Sequence, residues 1–324
     1  MTIRTTSLGA DGPSVGAIGH GCMGMSFVYD MAAPRNDDTS IAVIRQAIDL
    51  GMTLIDTADA YGPFTNESLV GRALTGGYRD RAVLASKVGS ITGTEPGVPT
   101  GLTFNGRPEH IKRAIDASLQ RLGTDHLDLW QLHRVDPQVP IEETWGAMAE
   151  AVTAGKVRHL GLSEVSVEQI KRAHAVHPVT TVQSELSLWA RSVLDEVLPY
   201  CEAHGIGFLA YSPLGSGFLA GRFSSFDELP DGDGRRDWAR FQQDAIEQNQ
   251  AIVSQVQQVA DRLDATPAQV ALAWICAQGQ YVVPIPGTKT PKYLSQNAAA
   301  AALMLDEDAL SVLNNLPAPV GNRY

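Results

Sequence analysis

Short apolar or β-branched runs alternate with longer segments of helical period from one end of the chain to the other. Eight runs read as strands: 17–23, 53–57, 82–88, 127–132, 159–162, 181–184, 207–211 and 281–285. Segments of period 3.6 lie between them, at 38–50, 67–74, 108–122, 141–154, 166–175, 192–204 and 267–277. Strictly alternating strand and helix is the α/β pattern. Local signals mark several boundaries. Ser166 stands ahead of Val167-Glu168-Gln169 as a capping box, and Thr266 precedes a helix whose first position is Pro267. Gly51 and Gly205 fall where a left-handed residue would stop a helix.

Eight β/α units in about 300 residues fit one (β/α)8 barrel, a TIM barrel, spanning 1–324 as a single domain. A doubly wound sheet would give five or six strands and a second domain, and no Pro/Gly/Ser-rich linker divides the chain. Ahead of the first unit, "IRTTSLGADGPSVG" reads as two short strands around Ala10-Asp11-Gly12-Pro13, an N-terminal β-hairpin able to close the barrel floor. Two polar insertions, 89–107 and 221–240, follow strands and so belong at the C-terminal mouth, where barrel active sites form. Gly19-x-Gly21-x-x-Gly24 has the spacing of a dinucleotide-binding fingerprint. That fingerprint must open a helix directly, however, and "SFVYDMAAPRND" has no helical period and contains Pro34. A Rossmann fold is therefore not expected.

The composition, 44% hydrophobic and 19% charged over 324 residues, supplies a large core. No secretory leader is apparent, and the longest apolar stretch, 298–305, is too short to span a bilayer, so a cytoplasmic protein is expected. Cys22, Cys201 and Cys276 are scattered and read as reduced core thiols. A net charge of −11 argues against nucleic acid or an acidic membrane as partner and leaves room for one local basic pocket.

Four polar residues finish apolar runs or follow them closely: Asp56 and Tyr61 in "TLIDTADAYG", Lys87 in "VLASKVG", and His133 in "LDLWQLHRVD". In a barrel these converge on one mouth. A lysine ending a buried strand needs a counter-charge, and Asp56 is the nearest candidate. Other constellations carry no chemistry. His174 and His177 lack a third metal ligand, and Asp306-Glu307-Asp308 reads as a helix start. The stripe Ile252, Val253, Val256 and Val259 reads as core.

The stretches "GHGCMGMS", "LIDTADAYG", "NESLVGRAL", "ASKVG", "HLDLWQLH", "GKVRHLGLSE", "VQSELSLWAR", "AYSPLGSGFLAG" and "PIPGTKTPKYLSQN" occur in that order. With them the chain resembles the aldo-keto reductase superfamily over nearly its whole length. It is most similar to the bacterial and plant general aldehyde and pyridoxal-type reductases. The resemblance implies a (β/α)8 barrel that binds NADP(H) without a Rossmann motif, with Gly21 and Met23 beside the cofactor. It implies Tyr61 as general acid, Lys87 as its activator, Asp56 as the partner of Lys87, and His133 as hydrogen-bond donor to the carbonyl oxygen. A free tyrosine has a pKa of about 10, and an adjacent ammonium is expected to lower it.

The cofactor contacts implied by the resemblance are Tyr211 under the nicotinamide, Ser163 and Gln183 on its carboxamide, and Ser212, Pro213, Leu214, Ser216 and Gly217 around the pyrophosphate. Gly287, Thr288 and Lys289 would take the 2′-phosphate, with Gln296 and Asn297 near the adenine. Three positions depart from the family pattern: Glu164 where Asn is common, Tyr293 in place of an Arg, and Gln296 in place of a Glu. The substrate pocket would be formed by Phe27, Tyr29, Arg134, Trp189 and Trp238, with Phe226 nearby. The expected function is NADPH-dependent reduction of a small-molecule carbonyl compound, an aldehyde and more widely a ketone, with no obligatory protein partner. The alternative is an NADP(H)-binding regulatory subunit resembling potassium-channel β subunits. A glycosidase would need paired acids and would leave Lys87 and Tyr61 unexplained.

Overall fold

The computed structural model describes residues 3–26, 29, 35–92 and 102–322. Strands β1 (Thr5–Ser7) and β2 (Ser14–Gly16) pair antiparallel across the expected turn. The chain continues through β3 (His20–Gly21), β4 (Leu54–Asp56) and β5 (Val83–Val88), then a side hairpin of β6 (Ser90–Thr92) and β7 (Leu102–Phe104). It ends with β8 (Leu127–Leu132), β9 (Val157–Ser163), β10 (Thr181–Glu185), β11 (Gly207–Tyr211) and β12 (Val282–Pro284). All but the two hairpins form one parallel eight-stranded sheet in chain order. The helices between strands are α1 (Asp37–Asp49), α2 (Thr65–Ala73), α3 (Pro108–Leu122), α4 (Ile141–Thr153), α5 (Val167–Val176), α6 (Val197–Ala203), α7 (Gln243–Arg262) and α8 (Pro267–Cys276). Helices α9 (Pro291–Ala299) and α10 (Glu307–Asn314) follow the last strand.

The sheet curls until its first strand meets its last. The Gly19 amide donates to Pro284 O at 3.0 Å and the Gly21 amide to Pro286 O at 3.2 Å. This contact needs glycine: a Cβ on Gly21 would lie 2.8 Å from Ile285 O, and one on Gly287 would lie 2.8 Å from Gly21 O. The glycine pattern at the start of the chain is thus a barrel seam, and the run 17–23 is a strand only at His20–Gly21 before a turn at Met23–Met25.

Two apolar layers follow from the two-residue repeat of the strands. Leu54, Ala85, Leu129, Leu209 and Val283 form an inner cluster, and Leu8 and Val15 of the N-terminal hairpin complete it. The hairpin is therefore a plug in the barrel floor, bridged at Gly9 to Ile206. Outward residues such as Trp130 and Phe208 join the helices in the larger core, which includes Ile252, Val253, Val256 and Val259 of α7. The capping boxes at Ser166 and Thr266 are present, and Gly51 and Gly205 have left-handed backbones. The segment 192–204 is not one helix: a short 3-10 turn, Ser192–Leu194, precedes α6. Pro199, the third residue of α6, has no N–H to donate to Asp195 O, so a continuous helix from 192 would lack that bond, whereas near a helix start the proline costs none.

Substituting Gly21→Ala tests the seam. The added Cβ should lower stability by about 1–3 kcal/mol, as overpacking against a rigid backbone does. A urea midpoint equal to that of the parent protein would show that the seam has slack.

Candidate active site

The side chains that point up the barrel are set by strand alternation. On β5, Ala85 and Lys87 face inward while Ser86 faces out and donates to Glu67 Oε1 of α2 at 2.5 Å. On β8, Leu129 faces inward, and Gln131 and then His133 follow at the same spacing. Register aligns Gly21 with Asp56 and Lys87 with Gln131. A gap at Gly161 accommodates Gln131, since a Cβ there would lie 2.9 Å from Gln131 Cγ.

At the mouth, Lys87 Nζ donates to Asp56 Oδ1 at 2.5 Å, to Thr57 O at 3.0 Å and to the Tyr61 hydroxyl at 3.2 Å. All three ammonium protons are satisfied, which a fully buried lysine requires. Asp56 Oδ2 accepts from Gln183 Nε2 at 2.9 Å and from Gln131 Nε2 at 3.2 Å. Gln183 also donates to Gln131 Oε1 at 3.2 Å, so its own carbonyl is the atom left to meet a ligand. The His133 ring stands edge-on to Tyr61, with centroids 5.7 Å apart.

A second buried residue fixes the loop carrying Tyr61. Asn66 accepts from Thr57 Oγ1 at 2.6 Å and donates to Cys22 O at 3.0 Å and Ser26 Oγ at 2.6 Å. Its backbone amide bonds Tyr61 O at 3.2 Å, so one side chain joins the loops after β3 and β4.

Electrostatics depart from expectation at Tyr61. Burial pushes its hydroxyl above the ordinary value and outweighs the downward pull of the Lys87 charge. Burial opposes the Lys87 charge too, but Asp56 and Tyr61 more than compensate and its pKa rises. His133 falls well below the usual imidazole range through burial and the nearby Lys87 and Arg134 charges. At neutral pH the site therefore holds a neutral phenol, a charged lysine and a neutral imidazole. His133 Nδ1 is buried without a partner among the described residues, which favours placing the ring proton on Nε2.

These groups open on a cavity of about 790 Å³. Its walls include Gly21, Met23, Tyr29, Asp56, Tyr61, His133, Arg134, Ser163, Gln183, residues 211–214, Ser216, Gly217, Trp238, residues 287–289, Gln296 and Asn297. Lys87 stands behind Tyr61. Trp189 does not line the cavity: it is 4% exposed, stacks on Phe218 at 4.7 Å and covers Gly215, so it supports the 212–217 loop from beneath. Phe226 packs against the core under Arg236. Phe27 lies outside the described residues.

The 212–217 loop has a left-handed backbone at Ser212, Gly215, Ser216 and Gly217. Arg235, from the second mouth insertion, holds it: Nη1 donates to Ser216 O at 2.7 Å, while Nε and Nη2 grip Asp233. The Tyr29 hydroxyl and Ser216 Oγ are 3.1 Å apart. Gln131, Asn66, Arg222 and Arg235 are the residues that sequence reasoning passed over; Arg222 and Arg235 are further cations in the cavity wall. Glu164 also differs from expectation. Its φ of 54° is one that Asn adopts more readily than Glu, and its Oε1 accepts from the Glu185 amide at 2.9 Å, capping the next strand.

The donor set suits a dinucleotide phosphate: a left-handed turn of small residues, exposed Lys289 and Arg222, and half-buried Tyr211 at the end of β11. Similar proteins agree. The structure is similar to a glycerol dehydrogenase, AKR11B4, from Gluconobacter oxydans, with 28% identity, a TM-score of 0.84, and 97% of this chain and 94% of that one covered. It is also similar to an aldo/keto reductase from Klebsiella pneumoniae solved with NADP and acetate, with 29% identity, a TM-score of 0.75 and 99% of each chain covered. Holo AKR11C1 from Bacillus halodurans matches at 25% identity and a TM-score of 0.79, over 99% of this chain and 98% of that one. The model of the Aldo/keto reductase family matches residues 17–316. The barrel, the lysine-centred mouth and this match together place the chain in the aldo/keto reductase family, as an NADP-dependent oxidoreductase.

Proposed function

We propose that the protein reduces aldehydes, and ketones as a wider class, to alcohols, with Tyr61 as general acid. The observation that carries this reading is the single ammonium of Lys87 held between Asp56 Oδ1 and the Tyr61 hydroxyl at the cavity wall. Bound NADPH supplies hydride to the carbonyl carbon. The chain's own residues manage the oxygen.

As negative charge develops there, Tyr61 delivers its proton. A raised pKa does not prevent this, because an alkoxide is a far stronger base than a phenolate. The hydrogen bond from Lys87 stabilises the phenolate that results, and Asp56 keeps Lys87 charged. His133, neutral and carrying its proton on Nε2, orients the carbonyl by donating to the same oxygen. Ser163 and the free carbonyl of Gln183 fit the nicotinamide carboxamide, and Tyr211 fits its ring. Residues 212–217 fit the pyrophosphate, and Gly287, Thr288 and Lys289 the 2′-phosphate, with Arg222 as a second cation. In the reverse direction the Tyr61 phenolate is the base, in keeping with a glycerol dehydrogenase among the similar proteins.

Tyr61→Phe should lower kcat for aldehyde reduction by about 10²–10⁴-fold, the usual contribution of a general acid. Its NADPH affinity by fluorescence titration should stay close to the parent's; turnover retained with an aromatic aldehyde would remove Tyr61 from the mechanism. The pH profile follows from the shift directions. Reduction needs the phenol protonated and the imidazole neutral, so kcat should stay flat from about pH 6 to 9 and fall only in alkali. Alcohol oxidation, which needs the phenolate, should climb over that alkaline range. A reduction limb near pH 6.5 would mean that His133 titrates in the working enzyme. Lys289→Ala should weaken NADPH by about tenfold or more while changing NADH little, since only NADPH carries the extra phosphate. Equal losses for the two cofactors would move the phosphate contact elsewhere.

A further inference from the structure

The peptide neighbour of His133 has a charge that the reduction chemistry does not use. Arg134 lines the cavity with Tyr61 and His133, half-buried, and its charge acts on both. Its Nη1 spends two N–H groups, on His133 O at 2.6 Å and on Ser163 Oγ at 3.1 Å. These bonds fix the guanidinium plane. The three N–H groups on Nε and Nη2 find no acceptor among the described residues, and no carboxylate among them pairs with Arg134. Arg235, by contrast, is tied to Asp233 in the same cavity wall. An anchored guanidinium with one open edge matches a carboxylate in bidentate fashion.

We infer that Arg134 is a specificity-determining residue that selects carbonyl substrates carrying a carboxylate near the reacting carbonyl. The inference rests on the reductase reading of the same cavity. Tyr61 and His133 hold the carbonyl oxygen, and the open edge of Arg134 takes the carboxylate a few bonds away, as in a 2-oxo acid or a carboxylated aromatic aldehyde. Tyr29 and Trp238, edge-to-face at 6.4 Å, give the remainder of the molecule an apolar wall.

The test uses matched acids and esters, which share a carbonyl and differ in charge: phenylglyoxylate and its methyl ester, and 3-formylbenzoate and its methyl ester. Steady-state kinetics with NADPH are compared for the parent protein, Arg134→Leu and Arg134→Lys. The acid-to-ester ratio of kcat/KM should fall at least tenfold in Arg134→Leu, mainly through KM, and fall less in Arg134→Lys, which keeps the charge without the fork. In parallel, benzoate binding to the NADP-loaded proteins is measured by calorimetry, a readout that needs no turnover. Benzoate affinity should drop at least tenfold in Arg134→Leu.

Equal losses for acid and ester would overturn the inference, leaving Arg134 as a brace for His133 and Ser163. Absence of benzoate binding to the parent protein would overturn it as well. Arg134-dependent benzoate binding without turnover of any carbonyl compound would support the carboxylate site and refute the reductase reading.

Discussion

A fully buried ammonium organises this protein. Lys87 is tolerable inside the barrel only because Asp56, Thr57 O and the Tyr61 hydroxyl take its three protons, and Asp56 is tolerable only because two glutamines share its other oxygen. Removing either ion would leave the other uncompensated, a loss of about 3–5 kcal/mol for buried pairs. Folding and chemistry thus rest on one contact. The barrel supplies neighbouring strands in register, the register brings opposite charges together, and the pair sets an ammonium against the hydroxyl of a tyrosine at the cavity wall.

The strands and the four polar residues at their ends were legible because both obey simple periodicities. Asp56, Lys87 and His133 interrupt or finish apolar runs, which in a parallel barrel marks the functional mouth. The capping boxes at Ser166 and Thr266 were legible for the same local reason. Gln131 was not: in "LDLWQLH" it looks like one polar residue in a buried strand, and its value appears only when Gly161 is seen to make room for it. Trp189 was misread because a large aromatic after a strand suggests a pocket, whereas stacking on Phe218 keeps it under the 212–217 loop.

The direction of the Tyr61 shift was also beyond sequence. Spacing shows that a lysine is close, but the balance between desolvation and charge depends on burial, and here burial prevails. Arg235 illustrates the same limit from another side. "GDGRRDWARF" gives no sign that one of its arginines reaches back to a carbonyl at Ser216, because that contact joins an irregular insertion to an irregular turn.

The seam between β3 and β12 has a consequence for biogenesis. It joins Gly19 and Gly21 to Pro284 and Pro286 through hydrogen bonds whose acceptors are translated long after their donors. A nascent chain therefore carries an open, unsealed edge for most of its synthesis. Non-local closure of this kind makes folding slow and exposes strand edges meanwhile. Since Gly21 and Gly287 also line the cavity, its wall is finished at the moment the cylinder shuts. Any ligand held by both sides of that wall then favours the sealed state over every partly wound one.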